Sequence, residues 1–360
     1  MTDTSNPSSG LQLVSLPPEI LHLIAQSYID DLDPASNIIS VLTTSHLFYS
    51  LFLPKLYSSI SIYSLSQLSR FVAPSSGAHI HSPRYTTGSV TINIPGVPGG
   101  GDGTMIPTAV GMSRSRDRLL LASQALSLCP NVREVSLEFF SVRHSEILTT
   151  DEFRLAEATA FESAIRGLCR VERFRWVPPR CDANAIMGLS IVIVDQVIPP
   201  LARGLVGCSR LHTLELWNTM LPDDGGADLA SSLIHIATTS GGDVKLNLRS
   251  VTGLDPKTVS DLALADPPVK VNIADGFVGS IWGARIDKRV VEECMRDTLD
   301  ATSSSGSERS SRSSSEASSI ATSRATSPEM LLQDTLAKAS ENVHITVLQG
   351  GVAGSRMLPH

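Results

Sequence analysis

The chain has 360 residues, which is enough for about two or three domains at roughly 100–200 residues each. Apolar residues make up 42 % and charged residues 18 %, so a sizeable core is expected and wholesale disorder is excluded. The formal net charge of −7 argues against a chain built to coat nucleic acid or an anionic membrane. Composition therefore excludes several classes of protein but indicates no function.

The N-terminal stretch and the cysteines bear on the compartment. Residues 1–12 form a polar tail that has neither the basic segment nor the apolar segment of a secretory signal. We predict that this tail is disordered. The longest apolar run, 186–194, is about half of a membrane span. Five cysteines without a Cys-x-x-Cys pair argue against a disulfide framework and a zinc site. We expect a soluble protein of the cytoplasm, the nucleus or both.

Residues 13–57 are predicted to form a domain of three helices. The segment 16–20 (Leu-Pro-Pro-Glu-Ile) places proline at the entry of the first helix, where a missing N–H costs nothing. Asp33-Pro34 starts the second helix, and the third is predicted to end at Pro54. One face of the first helix carries apolar residues at helical spacing: Ile20, Leu23, Ile24 and Tyr28. A domain of this size rarely folds alone, so we expect it to be stabilised by packing against the next domain or against a partner.

The order L-P-P-E-I-L-x-x-I, D-L-D-P, S-H-L-F and L-P-K-L-Y over Leu16–Tyr57 resembles the F-box. In that family the domain docks on a Skp-type adaptor, and through it on the cullin of a cullin–RING ubiquitin ligase. The middle segment His46-Leu47-Phe48 departs from the commonest form of the motif. By this resemblance the adaptor-facing residues would be Leu16, Pro17, Ile20, Ile24, Leu53 and Pro54. The alternative is an unrelated small helical bundle that opens with Leu-Pro.

Residues 58–300 contain an internal repeat of the form L-x-x-L-x-L. Its three strongest copies begin at Val132, Val171 and Leu211, at spacings of 39 and 40 residues. Each copy follows an apolar helical run and a cysteine, and we predict that Cys129, Cys169 and Cys208 are small core residues. One helix and one strand per repeat are typical of leucine-rich solenoids, in which the intervening strand positions line an exposed concave sheet.

Weaker copies of the strand pattern extend the repeat region in both directions: 60–62, 90–94, 244–248, 269–273 and 343–348. The predicted fold class is an α+β repeat protein, with an N-terminal three-helix F-box followed by an irregular leucine-rich-repeat-like α/β solenoid. F-box proteins often carry such repeats after the F-box. Because the repeat length varies, an ordinary α/β domain with alternating helices and strands is the alternative.

The C-terminal part is predicted to contain a disordered insert followed by a helix and a strand that belong to the repeat domain. Residues 301–327 are Ser-rich and cannot bury enough apolar surface, so we predict a disordered insert. Arg312–Ser315 and Ser327-Pro328 resemble kinase acceptor sites, with a plain solvated linker as the alternative. Residues 328–360 are predicted to form a terminal helix and a strand that joins the same sheet.

No pattern in the sequence indicates catalysis. His79 and His81 share one side of an extended segment but lack a third metal ligand nearby. The loop Gly99–Gly103 lacks the strand, the helix and the Lys-Ser/Thr pair of a phosphate-binding loop. G-x-S-x-G and H-E-x-x-H are also absent from the sequence. We therefore predict a protein that is not an enzyme and has no cofactor.

The segment Arg170–Arg180 combines basic and aromatic residues. Strand alternation buries Phe174 and Trp176 and directs Arg173 and Arg175 to the opposite face, where guanidinium groups could bind an acidic or phosphorylated peptide. In the alternative, Glu134 and Glu215 on flanking strands pair with these arginines. The same alternation places Ser136 on that face. The predicted target-binding residues are Arg173, Arg175, Glu215, Trp217, Lys245, Asn247 and Arg249.

Two functional hypotheses follow. In the first, the chain is the substrate receptor of a ubiquitin ligase, with the helices on the adaptor and the sheet on a protein target. In the second, it is a leucine-rich-repeat scaffold that acts outside any ligase. An α/β enzyme is a third and more distant interpretation.

Overall fold

The computed structural model describes residues 16–31, 38–73, 87–94, 109–138, 151–178, 193, 195–279, 283–305 and 328–347. Several predicted features lie outside these residues: the tail 1–12, the His79/His81 pair, the glycine loop 99–103, the Ser-rich stretch 306–327 and the segment 348–360.

Three helices form the N-terminal part: α1 (Pro18–Asp30), α2 (Ile39–Leu42) and α3 (His46–Leu56). They enclose a small core of their own around Leu21, Ala25, Leu51 and Phe52. The α3 helix runs to Leu56, beyond the predicted end at Pro54. Proline lacks its own N–H donor, but the Tyr57 N–H beyond it still donates to the Leu53 carbonyl at 3.2 Å, so the last turn of the helix continues past Pro54.

Within the described residues, eight strands form one sheet in which the spatial order follows the chain order and every pair is parallel. The strands are β1 (Ser59–Ile62), β2 (Ser89–Asn93), β3 (Glu134–Glu138), β4 (Arg173–Val177), β5 (Thr213–Trp217), β6 (Val244–Thr252), β7 (Val269–Phe277) and β8 (Val343–Thr346). Parallel neighbours require a crossover between them. The predicted α/β architecture is confirmed at this level, and the strand order is compatible with a solenoid.

The crossovers contain helices that pack against one another in sequence along the sheet. They are α4 (Leu65–Val72), α5 (Ala109–Ser127), α6 (Asp151–Arg166), α7 (Ile198–Leu205), α8 (Ala227–Ser240), α9 (Pro256–Leu264), α10 (Lys288–Ser305) and α11 (Pro328–Glu341). None of the helices described in the structure is both long and apolar enough to cross a membrane.

The main core lies between the sheet and this helix layer. Alternate strand residues are buried there, among them Val135, Phe174 and Leu214 at equivalent positions of β3, β4 and β5. Trp176 is fully buried and meets Phe161 of α6 edge-on, with ring centroids 5.6 Å apart. The apolar positions of the three strongest repeat copies are therefore core positions, as predicted.

One of the three cysteine predictions is wrong. Cys129 and Cys208 are buried, but Cys169 is exposed. The buried position in the middle copy belongs to Leu168, whose carbonyl accepts from Val171 N at 3.2 Å, as the Cys208 carbonyl accepts from Leu211 N at 3.0 Å. Cys169 stands one residue closer to its strand than the other two cysteines do, and this offset moves it out of the core.

Backbone hydrogen bonds fix the register at the strand entrances. The Arg133 carbonyl accepts from both Glu172 N (2.7 Å) and Arg173 N (3.0 Å). The Glu172 carbonyl accepts in the same way from His212 N (2.8 Å) and Thr213 N (3.1 Å). Because each copy is tied to the preceding one at the same point, equivalent side chains lie in rows across the sheet.

The C-terminal helix and strand close one end of the sheet. β8 pairs in parallel with β7, with Val343 opposite Val271, and Ala339 and Val343 are buried in the main core. The preceding helix α10 extends through Ser305, so residues 301–305 are helical although the sequence predicted a disordered insert from residue 301. A helix already formed over 288–299 adds residues at low cost, which explains the difference.

Candidate protein-binding surfaces

The face of the sheet opposite the helix layer, called the open face below, carries the side chains that alternate with the core positions. Strand register arranges them in rows. The first row is Glu134, Arg173, Thr213, Lys245 and Lys270; the second is Ser136, Arg175, Glu215, Asn247 and Asn272; the third contains Trp217 and Arg249. The predicted target-binding residues and Ser136 thus share one face.

Arg173 and Arg175 are both in ion pairs. Arg173 pairs with Glu134 across the neighbouring strands. The Arg175 Nε atom lies 3.3 Å from Glu215 Oε2, as a charge contact rather than an aligned hydrogen bond, and its Nη1 lies 3.7 Å from Glu138 Oε1. The pairing with Glu134 and Glu215 that the sequence offered as the alternative is therefore present in the structure. A role of Arg173 and Arg175 in target binding stays a prediction.

Glu138 is the acidic residue of this cluster that the sequence did not single out. It is only 5 % exposed, and it accepts hydrogen bonds from Asn93 Nδ2 at 2.9 Å and Ser136 Oγ at 3.0 Å. Such donors offset the cost of burying a polar group away from water. The available signal was its place two residues after Ser136, because strand alternation puts both side chains on the same face.

Trp217 lies between two guanidinium groups on the open face. The Arg249 Cζ atom is 4.5 Å from the Trp217 ring centroid, and the Arg175 Cζ atom is 5.4 Å from it. Both distances are in the range of cation–π contacts. Arg249 therefore has a defined place against an aromatic ring while remaining exposed.

The basic residues of β6 differ from those of β4. Within the part of the chain that the structure describes, no carboxylate pairs with Lys245 or Arg249. Lys270 on β7 pairs with Asp243 at 3.1 Å, and the Asn272 Nδ2 atom donates to Asn247 Oδ1 at 2.8 Å.

A recess of about 520 Å³ lies on the open face over β1 to β5. Its floor includes the small hydroxyl residues Ser61, Ser89 and Thr91, with exposed Tyr63 on one side and the paired arginines on the other. Sequence reasoning did not name these residues, because short polar side chains in a strand give little signal. The recess is open to solvent and is lined largely by polar and charged side chains.

The second surface is an apolar strip on α1, called the α1 strip below. Ile20 is 42 %, Leu23 65 %, Ile24 41 % and Tyr28 43 % exposed. On the opposite side of the same helix, Leu21 and Ala25 fill the bundle core. Leu23 was absent from the predicted adaptor-facing set, although its spacing from Ile20 places it on the same strip.

The other residues predicted to face an adaptor differ in exposure. Pro17 and Pro54 are exposed, whereas Leu53 is half-buried. Leu16 is half-buried and packs against the bundle core. Substitution of Leu16 therefore affects folding as well as any contact with a partner.

No protein-family model matches the chain, and no curated protein matches it. The α1 strip and the open face are therefore the two features of the chain that bear on its function.

Proposed function

We propose that this chain is a substrate-recognition subunit of a cullin–RING ubiquitin ligase of the SCF type, acting in the cytoplasm, the nucleus or both. Helices α1–α3 are an F-box that binds a Skp-type adaptor. The sheet and its helices are an irregular leucine-rich-repeat-like solenoid that binds a protein target through the open face. The chain itself performs no chemistry.

The observation that carries this proposal is the α1 strip. A helix on the surface of a globular protein normally turns one apolar face inward and polar residues outward. The α1 helix is apolar on both sides, because Leu21 and Ala25 are buried while Ile20, Leu23 and Ile24 are exposed. A contiguous exposed apolar patch marks an interaction site, and burial of such side chains contributes roughly 25 cal/mol per Å².

The resemblance to the F-box favours a Skp-type adaptor as the partner. The motif that carries the resemblance opens with Leu16 and Pro17 and continues directly into the α1 strip. Pro54 of the exit motif is also exposed. Together with Leu53, these residues are the adaptor-facing set that the resemblance implies, now extended by Leu23 and Tyr28.

The mechanism is proximity. With the adaptor on α1 and a target on the open face, a target lysine is held near the ubiquitin-loading partner of the ligase. Such tethering raises the effective concentration of the reacting groups without new chemistry.

Affinity purification of the tagged full chain under proteasome inhibition tests this proposal. Recovery of a Skp-type adaptor and a cullin together with a target protein is the expected result. Recovery of a target protein but never of adaptor or cullin would instead favour a scaffold that acts outside any ubiquitin ligase.

A further inference from the structure

The charges on the open face are arranged differently in its two halves. From β3 to β5, every charged side chain that the structure describes on the open face has a partner of opposite sign: Glu134 with Arg173, and Glu138 and Glu215 with Arg175. On β6, the described part of the chain offers no carboxylate partner for Lys245 or Arg249. The surplus positive charge of the face is therefore concentrated on β6.

The two halves respond differently to an incoming carboxylate. To bind that carboxylate, Arg173 or Arg175 must give up or share its present ion pair with a glutamate of the protein. The net gain in binding free energy is therefore small. Lys245 and Arg249 are exposed and form a new pair without the loss of an old one. The arginine-rich segment Arg170–Arg180 is thus a less suitable site for an acidic ligand than β6.

Preorganisation also favours β6. The contact with the Trp217 ring, at 4.5 Å, holds the Arg249 guanidinium in place before any ligand arrives. A side chain fixed in this way loses less conformational entropy when it binds. Trp217 adds a large half-buried aromatic surface, a type of residue that is enriched in binding hot spots.

We propose that Trp217, Lys245, Asn247 and Arg249 form the recognition site for an acidic segment of the protein target, and that Arg173 and Arg175 maintain the sheet surface. Lys245 and Arg249 are four residues apart on one strand, which places them about 13 Å apart along it. An extended peptide with carboxylates about four residues apart spans both. This inference rests on the proposed function only for the identity of the open face as the target-binding face.

Fluorescence anisotropy with defined probes tests the inference on the full chain. The probes are 12-residue Gly/Ser peptides that carry Glu, Gln or Lys at matched positions, and a single-stranded RNA of similar charge. We expect binding of the Glu peptide alone, weakened by added salt. Because the chain carries a net charge of −7, general attraction of an acidic peptide is not expected.

Three double variants locate the site, and the third loses the same two positive charges as the first. Lys245→Gln/Arg249→Gln is expected to weaken binding of the Glu peptide by about tenfold or more. Glu134→Gln/Arg173→Gln leaves the net charge unchanged and should alter binding by less than about twofold. Lys257→Gln/Arg296→Gln removes two exposed charges from α9 and α10, and should behave like the parent chain.

Several results would overturn the inference: no binding of the Glu peptide, equal binding of the RNA, or a larger loss in Glu134→Gln/Arg173→Gln than in Lys245→Gln/Arg249→Gln. Adaptor binding is measured on the same variants and should not change. If the parent chain binds the Glu peptide through β6 but binds no adaptor, the ligase proposal fails and the recognition site stands.

Discussion

Three equivalent turns lead into β3, β4 and β5, and their cysteines occupy different environments. Cys129 and Cys208 are buried beneath the helix layer, and Cys169 is exposed. Burial raises the pKa of the Cys208 thiol from 9.0 to about 12. Because the thiolate is the reactive form, Cys208 is expected to be inert in the folded protein.

Thiol labelling at pH 8 checks this difference. Cys169 should react rapidly in the folded chain, whereas Cys208 should react only after unfolding, as followed by mass spectrometry of the labelled peptides. Labelling of both residues at similar rates in the folded chain would contradict the burial argument.

The raised pKa also predicts a dependence of stability on pH. Between pH 9 and 12 the unfolded chain releases the Cys208 proton and the folded chain retains it. The contribution of this thiol to the free energy of unfolding therefore falls as the pH rises, by about 1.4 kcal/mol per unit within that window. Urea unfolding of Cys208→Ala should show a flatter decline between pH 9 and 10.5 than the parent chain, and parallel curves would refute the assignment.

Single residues also show what the sequence could and could not predict. Alternation along β4 correctly separates Phe174 and Trp176 from Arg173 and Arg175, because the side-chain period of a strand is fixed. It cannot give the distance from Arg175 to Glu138, which depends on register between strands 39 residues apart in the chain. The prediction that Cys169 is buried failed for a different reason, because Cys169 stands one residue closer to its strand than Cys129 and Cys208 do, and this offset decides which side chain of the turn is buried.

At the scale of elements, β8 is one edge of the sheet and the last strand within the residues that the structure describes. Val271 N donates to the Asn342 carbonyl at 2.8 Å just before β8 begins. Val343 is buried, and Ile345 packs against the same core. Without this strand, β7 would expose an unpaired edge.

Removal of residues 328–360 is expected to lower the free energy of unfolding by about 2 kcal/mol or more, because burial of one valine alone contributes about 1.5–3 kcal/mol. The melting temperature should fall by several degrees, as measured by circular dichroism. Val347→Ser is the control, because Val347 is 58 % exposed, and it should leave the melting temperature unchanged. If the truncated chain melts like the parent chain, β8 does not stabilise the sheet.

The α1 helix shows how an element can be predicted while its environment is not. Proline at its start and the apolar spacing predict a helix that the structure has at Pro18–Asp30. Both sides of that helix are apolar, so the sequence alone does not say which side is buried. Packing against α3 determines which side of α1 is buried. Leu51 and Phe52 of α3 enclose Leu21 and Ala25, and the α1 strip is left exposed.

At the scale of the whole molecule, two surfaces of different chemistry belong to different parts of the chain. The α1 strip is apolar and suited to a stable contact with a constant partner. The open face is polar, charged and preorganised around Trp217, which suits selection of a particular target. A receptor that links an enzyme complex to its substrate requires these two kinds of contact, and this arrangement is the basis of our proposal.

The most direct test measures binding of a purified Skp-type adaptor to the full chain by isothermal titration calorimetry. Ile20→Asp/Ile24→Asp places two charges on the α1 strip, and both positions are exposed, so the fold should persist. Val206→Asp/Val290→Asp is the matched control, because these valines are similarly exposed (42 % and 43 %) but lie outside α1–α3. We predict tight binding by the parent chain and the control, and a loss of at least about a hundredfold, roughly 2.7 kcal/mol, in the α1 variant. Equal affinity of all three proteins, or no binding by the parent chain, would contradict the proposal.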